Sequence, residues 1–198
     1  MRISPRYTTE HWKAIDFNTE HGWQKAVTIL DDRLRGRFFA PIRLIENEYG
    51  AGFAILALHS LLIETLQQFR EGTIDTPRGK GEKYFIKFLT ETSFNKYFNS
   101  DLAAQFYDVI RCGVLHQGEV KGNSVVRCDV PLVRWTKDKN GLEINRRLLN
   151  AKFEKVFDEY LAQLRDPANR ILRERFRNKM NHICRVPCIQ PSPTRESR

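Results

Sequence analysis

Cysteine is scarce in this chain and badly spaced for a structural role. There are four, Cys112, Cys128, Cys184 and Cys188, too few and too uneven for a disulfide framework. His182, Cys184 and Cys188 are the one grouping that suggests a metal. Three ligands beside a proline-rich tail lack the paired spacing of a structural zinc site, so neither metal nor cofactor is expected. No glycine-rich loop is present to cradle a phosphate, and there is no internal repeat or low-complexity tract. Long apolar runs are missing too. The longest, Ala51 to Ile63, is broken by His59 and Ser60 and is shorter than the roughly 20 residues a bilayer span needs. The opening Met1-Arg2-Ile3-Ser4-Pro5-Arg6-Tyr7 lacks the apolar stretch of a secretory signal. We expect a reduced, cytoplasmic protein with no membrane partner.

What is present is enough apolar material for a core and an excess of positive charge. The chain has 198 residues, is 41% hydrophobic and includes 13 Phe. That composition suits a globular protein, and we expect one domain over residues 1–186. Lys and Arg number 33 against 24 Asp and Glu, a formal net charge of +9. A basic field attracts polyanions, which puts RNA, DNA or an acidic protein first among partners without choosing between them.

Residues 1–20 read as a polar, irregular leader, with Trp12 and Phe17 tucked onto the body. From Glu20 a helical period begins: Trp23, Val27, Leu30 and Leu34 recur every three or four residues, and Pro41 should kink or divide that helix. Gly50 to Phe69 is apolar nearly all round, which predicts the central helix of a bundle; Glu64 within it should need a partner. Residues 72–82 form a loop carrying Arg78 and Lys80. Tyr84, Phe85, Phe88 and Leu89 predict a short amphipathic helix. Asn99 or Ser100 should cap the next one, with Gly118 as its stop. After Val120 the period becomes alternating, and Asn140-Gly141 is a hairpin signal, so a small β-ribbon is expected over 124–145. Two C-terminal helices over about 147–183 follow. The last has Leu172, Phe176, Met180 and Ile183 on one side and Arg170, Arg173, Arg177 and Lys179 on the other. The tail, 187–198, should be disordered.

The most informative stretch is Arg111-Cys112-Gly113-Val114-Leu115-His116. An arginine fork grips phosphate, and a histidine moves a proton near neutral pH. Those two groups suffice for cleavage of an RNA backbone without a metal. Spacing alone does not single out this pair, because Arg6 and His11, and Arg177 and His182, stand equally far apart. With 21 Arg and five His, about half a pair at that interval is expected by chance. Context separates the three. Arg6 and His11 lie in a leader with nothing to fix them, and Arg177 and His182 lie on a basic terminal helix. Arg111 lies among apolar neighbours, where an arginine requires a partner or a pocket. The alternative is that Arg111 pairs with Glu64 or Asp108 while His116 caps the helix. Cys112 has no His–Asn set to activate it as a nucleophile, and His59 and Glu64 read as core polar groups.

The run from Phe106-Tyr107 through Arg111 to His116-Gln117 resembles the HEPN (higher eukaryote and prokaryote nucleotide-binding) superfamily, whose ribonuclease members carry Arg, four to six residues, then His. The likeness covers roughly 20–119. The resemblance implies a mainly α, HEPN-like helical bundle with a small inserted β-hairpin or ribbon. It implies a metal-independent endoribonuclease of bacterial toxin or phage-defence type. His116 would act as acid or base and Arg111 would stabilise the phosphorane. It further implies a homodimer sharing one cleft, and an antitoxin or other regulatory partner. Arg78, Lys80, Arg170, Arg173, Arg177 and Lys179 are the candidates to hold the RNA strand. The residue after the family's Arg is commonly Asn; here it is Cys112, whereas Arg177-Asn178 matches by letter at a less fitting place. The main alternative is a non-catalytic HEPN-like module that binds RNA or a protein. A DNA-binding regulator ranks third, because no recognition-helix pattern stands out.

Overall fold

The polar leader is held down by its few apolar residues. Ile3, Trp12 and Ile15 are buried, and Trp12 Nε1, on the short helix α1 (Thr9–Lys13), donates to Asn181 Oδ1 at 2.8 Å. The computed structural model describes residues 1–114 and 118–186; the tail expected to be disordered, 187–198, lies outside the described residues.

Helix α2 (Glu20–Leu34) starts where the sequence signals it, with the Thr19 hydroxyl accepting from the Gly22 amide at 3.1 Å. Trp23, Val27, Leu30 and Leu34 are buried along its inner face. Pro41, expected to kink or divide the helix, marks the point where the regular α pattern is interrupted. Having no N–H to donate back along the helix, it is preceded by a widened π turn, Arg35–Phe39, in which the Ala40 amide reaches the Arg35 carbonyl five residues back. Such a turn takes up one extra residue without ending the helix. The chain resumes as α3 (Ala40–Ile45), with Pro41 in its first turn.

Helix α4 (Gly52–Glu71) is the centre of the bundle. It packs against the helices that follow it, α5 (Gly81–Glu91), α7 (Arg146–Arg165) and α8 (Arg170–Ile183), and Ile55, Leu56, Leu62, Ile63, Leu66 and Phe69 are buried. By length and mean hydropathy alone α4 could cross a bilayer. The apolar run looked shorter in the sequence because His59 and Ser60 interrupt it, yet both are buried in the bundle. Glu64 is half-buried rather than interior. Gly72 ends the helix in the left-handed region, φ 72°, its amide donating to Gln68 O at 2.8 Å.

Helix α5 is the amphipathic segment expected, burying Tyr84, Phe85, Phe88 and Leu89. Asn99 caps α6 (Ser100–Phe106), accepting from the Leu102 amide at 2.8 Å. This helix runs into a second π turn, Tyr107–Cys112. Gly118 follows with φ 69°, donating to Val114 O at 3.2 Å, as a helix stop requires.

The alternating region forms a three-stranded mixed sheet in the order β1-β3-β2, where a simple ribbon was expected. β2 (Val133–Trp135) and β3 (Leu142–Asn145) are antiparallel, with Trp135 opposite Leu142; β1 (Val125–Arg127) lies parallel on the other side of β3. Asn140-Gly141 does join β2 to β3, but not as a two-residue turn. Thr136 N donates to Gly141 O at 2.9 Å, and Lys139 takes the positive φ of 56°. Gly141 is required for another reason: a Cβ there would lie 2.5 Å from Ser124 N. Asn145 then caps α7, accepting from the amides of Arg147 and Leu148.

His59 lies at the middle of the core, fully buried and stacked on Phe153 with ring centroids 4.5 Å apart. Its Nε2 faces Asn150 Oδ1 at 3.3 Å. Burial lowers its pKa to about 4, against an upward pull from Asn150. Because the folded value lies below the unfolded one, near 6.5, the unfolded chain binds the extra proton first. This contribution is complete above pH 6.5 and is lost as pH falls toward 4. Between pH 7 and pH 4.5 the loss should be roughly 2–3 kcal/mol. Urea denaturation at the two pH values should give that difference for the native chain and a clearly smaller one for His59→Leu. An equal pH dependence in both proteins would show that His59 does not titrate on unfolding.

Candidate functional site

The second π turn sets the geometry around Arg111. Its inward side chains, Val109 and Ile110, are buried. Tyr107 and Arg111, four residues apart, stand together, with the guanidinium carbon 5.7 Å from the ring centroid. A cation at that range is drawn to the aromatic face. Tyr107 meets Phe85 of α5 edge-on at 5.1 Å. A Cβ on Gly81 would lie 2.9 Å from the Tyr107 hydroxyl, so the loop carrying Arg78 and Lys80 ends directly against this tyrosine. Both basic side chains of that loop are exposed.

Tyr107 gathers the polar groups of the region. Burial pushes its hydroxyl above the ordinary phenol value. The Arg111 cation pulls it down, while a hydrogen bond with Cys112 and the charge of Glu64 push it up. The hydroxyl therefore stays protonated at neutral pH and can donate. Asp108, one of the two acids considered as partners for Arg111, is bound instead to Lys121 Nζ at 2.6 Å. Gly113 admits the returning chain: a Cβ would sit 2.5 Å from Glu119 O, and Lys121 N donates to Val109 O at 3.3 Å. Arg111 itself is half-buried. His116 lies outside the described residues.

The other two pairs are each divided between separate partners. Arg6 Nε meets Asp32 Oδ1 at 2.6 Å, and His11 Nδ1 accepts from Thr8 N at 3.0 Å. The leader thus has the fixed geometry that its sequence hid, but that geometry does not join the arginine to the histidine. The Arg177 guanidinium lies over Phe17, 4.6 Å from the centroid, and lines a cavity with Glu20 and Trp23; His182 lines a different one.

Of the basic residues expected on the outer side of α8, Arg170 is exposed and Arg177 is half-exposed. Arg173 is 4% exposed. It makes two 2.8 Å bonds to the Glu20 carboxylate, donates to the carbonyls of Leu164 and Arg165, and stacks over Trp23 at 4.9 Å. Lys179 is also buried, donating to Gln68 Oε1 at 2.8 Å and to the Ile74 carbonyl. Both side chains are spent on holding helices together. The sequence carried the signal: Arg173 is three and seven residues from Phe176 and Met180, and Lys179 is three and seven from Phe176 and Leu172. That is core spacing. The one signal in the sequence for Tyr107 as a partner is its spacing of four from Arg111, which puts it one turn away.

Among the described residues no cluster of three His, Cys, Asp or Glu side chains is placed to hold a metal. Cys184 is buried, its thiol pushed up to about 11 by desolvation, and Cys188 lies outside the described residues. The chain matches no protein-family model, no curated protein and no solved structure.

Replacing Arg173 by Leu leaves the carbonyls of Leu164 and Arg165 without their donor and removes the stacking on Trp23, which should cost about 2–3 kcal/mol. For a chain of this size that lowers Tm by roughly 5–10 °C. Arg170→Ala, on exposed surface, should stay within about 0.5 kcal/mol. Thermal denaturation of both variants tests the contrast, and equal Tm values would return Arg173 to the solvated face.

Proposed function

We propose that the protein is a metal-independent endoribonuclease of the HEPN type, acting through Arg111 and His116. The observation that carries this reading is the setting of Arg111: a half-buried guanidinium, held over Tyr107 on a π turn, beside the end of a loop with two exposed cations. π turns within helices are frequent at functional sites, and a planar fork already oriented by a ring loses little freedom on gripping a phosphate.

In the reaction the 2′-hydroxyl of one nucleotide attacks its own 3′-phosphate. The bond to the 5′-oxygen of the next nucleotide breaks, leaving a 2′,3′-cyclic phosphate and a 5′-hydroxyl. His116 takes the proton from the attacking hydroxyl or supplies one to the leaving oxygen. Arg111 neutralises the charge gathering on the phosphorane oxygens. Arg78 and Lys80 hold the strand, with Arg170 and Arg177 as outlying contacts. A homodimer would place two such pairs on one substrate, and an antitoxin or other regulatory partner would restrain it in a cytoplasmic host.

A non-catalytic RNA-binding module is the second reading, favoured by the same contact with Tyr107, since packing arginines stack in this way. Activity separates the two. His116→Ala should lower RNA cleavage by about 10²–10⁴ with Tm unchanged. Arg111→Lys should be nearly as inactive as Arg111→Ala, because an ammonium cannot span two phosphate oxygens. Arg177→Lys should keep cutting. A stable His116→Ala protein that cleaves at the parent rate would sink the assignment; a parent protein that binds RNA without cutting it would establish the module.

Cleavage should also persist in EDTA and leave cyclic phosphate ends, read by end-group analysis. Loss of activity on chelation would point to a metal-assisted route instead.

A further inference from the structure

A second concentration of cations lies away from Tyr107, where the leader, the end of α2 and the end of α8 meet. A cavity of about 500 Å³ opens there. Arg2, Arg33, Arg37, Lys179, His182 and Arg185 line it, and Asp75 is the one carboxylate in its wall. Some surface cations are matched, Arg35 with Asp31 and Asp158, Arg43 with Glu154, Arg127 with Asp129. Those gathered around this one cavity are not. Among the described residues, Arg2, Arg33, Arg37 and Arg185 form no ion pair with a carboxylate. Arg33 donates to the Ile3 carbonyl, and Lys179 to Gln68 and the Ile74 carbonyl, so their charges are satisfied as donors but not neutralised.

The arrangement is electrostatically unfavourable when empty of anions. Arg33 and Arg37 stand four residues apart, where like charges repel, and Arg33 is half-buried. Desolvation together with Arg37 pulls the Arg33 pKa down to about 10, and Lys179 is pulled down by burial and, to a lesser degree, by Arg33. At about 10 Arg33 remains a cation at neutral pH, so its repulsion with Arg37 persists in the working protein. Five cations facing one carboxylate suit a ligand with several charges on neighbouring oxygens. A single carboxylate would leave most of that charge unmet. A phosphoryl group offers up to two charges and three acceptor oxygens, and guanidinium forks match its geometry. The volume is that of a small-molecule pocket.

We propose that this cavity binds a terminal phosphoryl group, supplied either by a free nucleotide or by the 5′-phosphate end of an RNA strand. The site is separate from Arg111, so it stands whether or not the chain cleaves RNA.

The test uses the full chain and two pairs of probes. One pair is ADP against adenosine, by titration calorimetry. The other is a short 2′-O-methyl RNA, which a 2′-hydroxyl mechanism cannot cut, with a 5′-phosphate against the same strand with a 5′-hydroxyl, by anisotropy. Arg37→Gln and Arg185→Gln are the informative variants, because both side chains are exposed and neither substitution removes a core contact; Lys25→Gln, exposed on α2, is the control. The phosphorylated member of one pair should bind about tenfold more tightly than its partner, and Arg37→Gln with Arg185→Gln should remove that advantage. Lys25→Gln should not. Preference in the ADP pair names a nucleotide, and preference in the RNA pair names a strand end. Equal binding of both members in both pairs, or a phosphate preference that survives the double substitution, overturns the proposal.

Discussion

Helix α4 has no polar side wide enough to leave in water, and covering it dictates where the other helices go. Burying an aliphatic or aromatic side chain contributes about 1.5–3 kcal/mol, and α4 carries a ring of them facing α5, α7 and α8. The two ends of α4 show how closely its neighbours must approach. At the start, a Cβ on Gly52 would meet Val126 of β1 at 3.0 Å; just past the end, a Cβ on Gly72 would lie 2.8 Å from the Arg175 backbone. The sheet is thus pressed against one end of the central helix and α8 against the other. His59 and Ser60 are interior because they share this helix, not because the core needs polar groups.

Positive charge in this chain is divided between two uses. Arg173 and Lys179 act inside, as multi-donor ties from α8 to α2, to the end of α7 and to the loop after α4. Lys152 joins them, buried on α7 with Nζ 2.7 Å from Ser93 Oγ. These ions satisfy orphan carbonyls and side-chain oxygens that would otherwise be left dry. A net charge of +9 consequently overstates what the surface offers a polyanion. What counts is where unneutralised cations collect, and the cavity around Arg33 and Arg37 and the exposed loop of Arg78 and Lys80 are two such places.

Local signals were legible and long-range ones were not. Asn99 announces its helix because a cap is a bond within three residues, and the start of α2 near Glu20 follows from the period of Trp23, Val27, Leu30 and Leu34. The apolar girdle of α4 announces its burial. By contrast, the parallel pairing of β1 with β3 joins residues about 18 apart through a connection with no regular period, so nothing in the alternation could reveal it. The inward turn of Arg173 is in the sequence as spacing, because Phe176 and Met180 share its face, while its residue type alone points to water. The site followed the same rule. Arg111 could be singled out by its apolar surroundings, while its contact with Tyr107 depends on a π turn that leaves no mark in composition.

That turn links fold to chemistry. An α-helix presents residues at 100° intervals, so an arginine in a buried seam must end in the core or be driven out of it. Inserting one residue as a π turn shifts every later side chain relative to the earlier ones. The chain does this twice. The first π turn, Arg35–Phe39, places Phe39 in the core while Arg37 lines the basic cavity. The second, Tyr107–Cys112, buries Val109 and Ile110 while Arg111 lies half-exposed over Tyr107. In each case a weaker hydrogen-bond pattern is retained beside an arginine that regular helix geometry would have aimed elsewhere. Pro41 accounts for the first turn. No proline follows the second, so its persistence is owed to the packing of Tyr107 against Phe85 and Gly81 and to the crossing of residues 119–121 over Gly113, contacts that hold the Arg111 segment in its widened form.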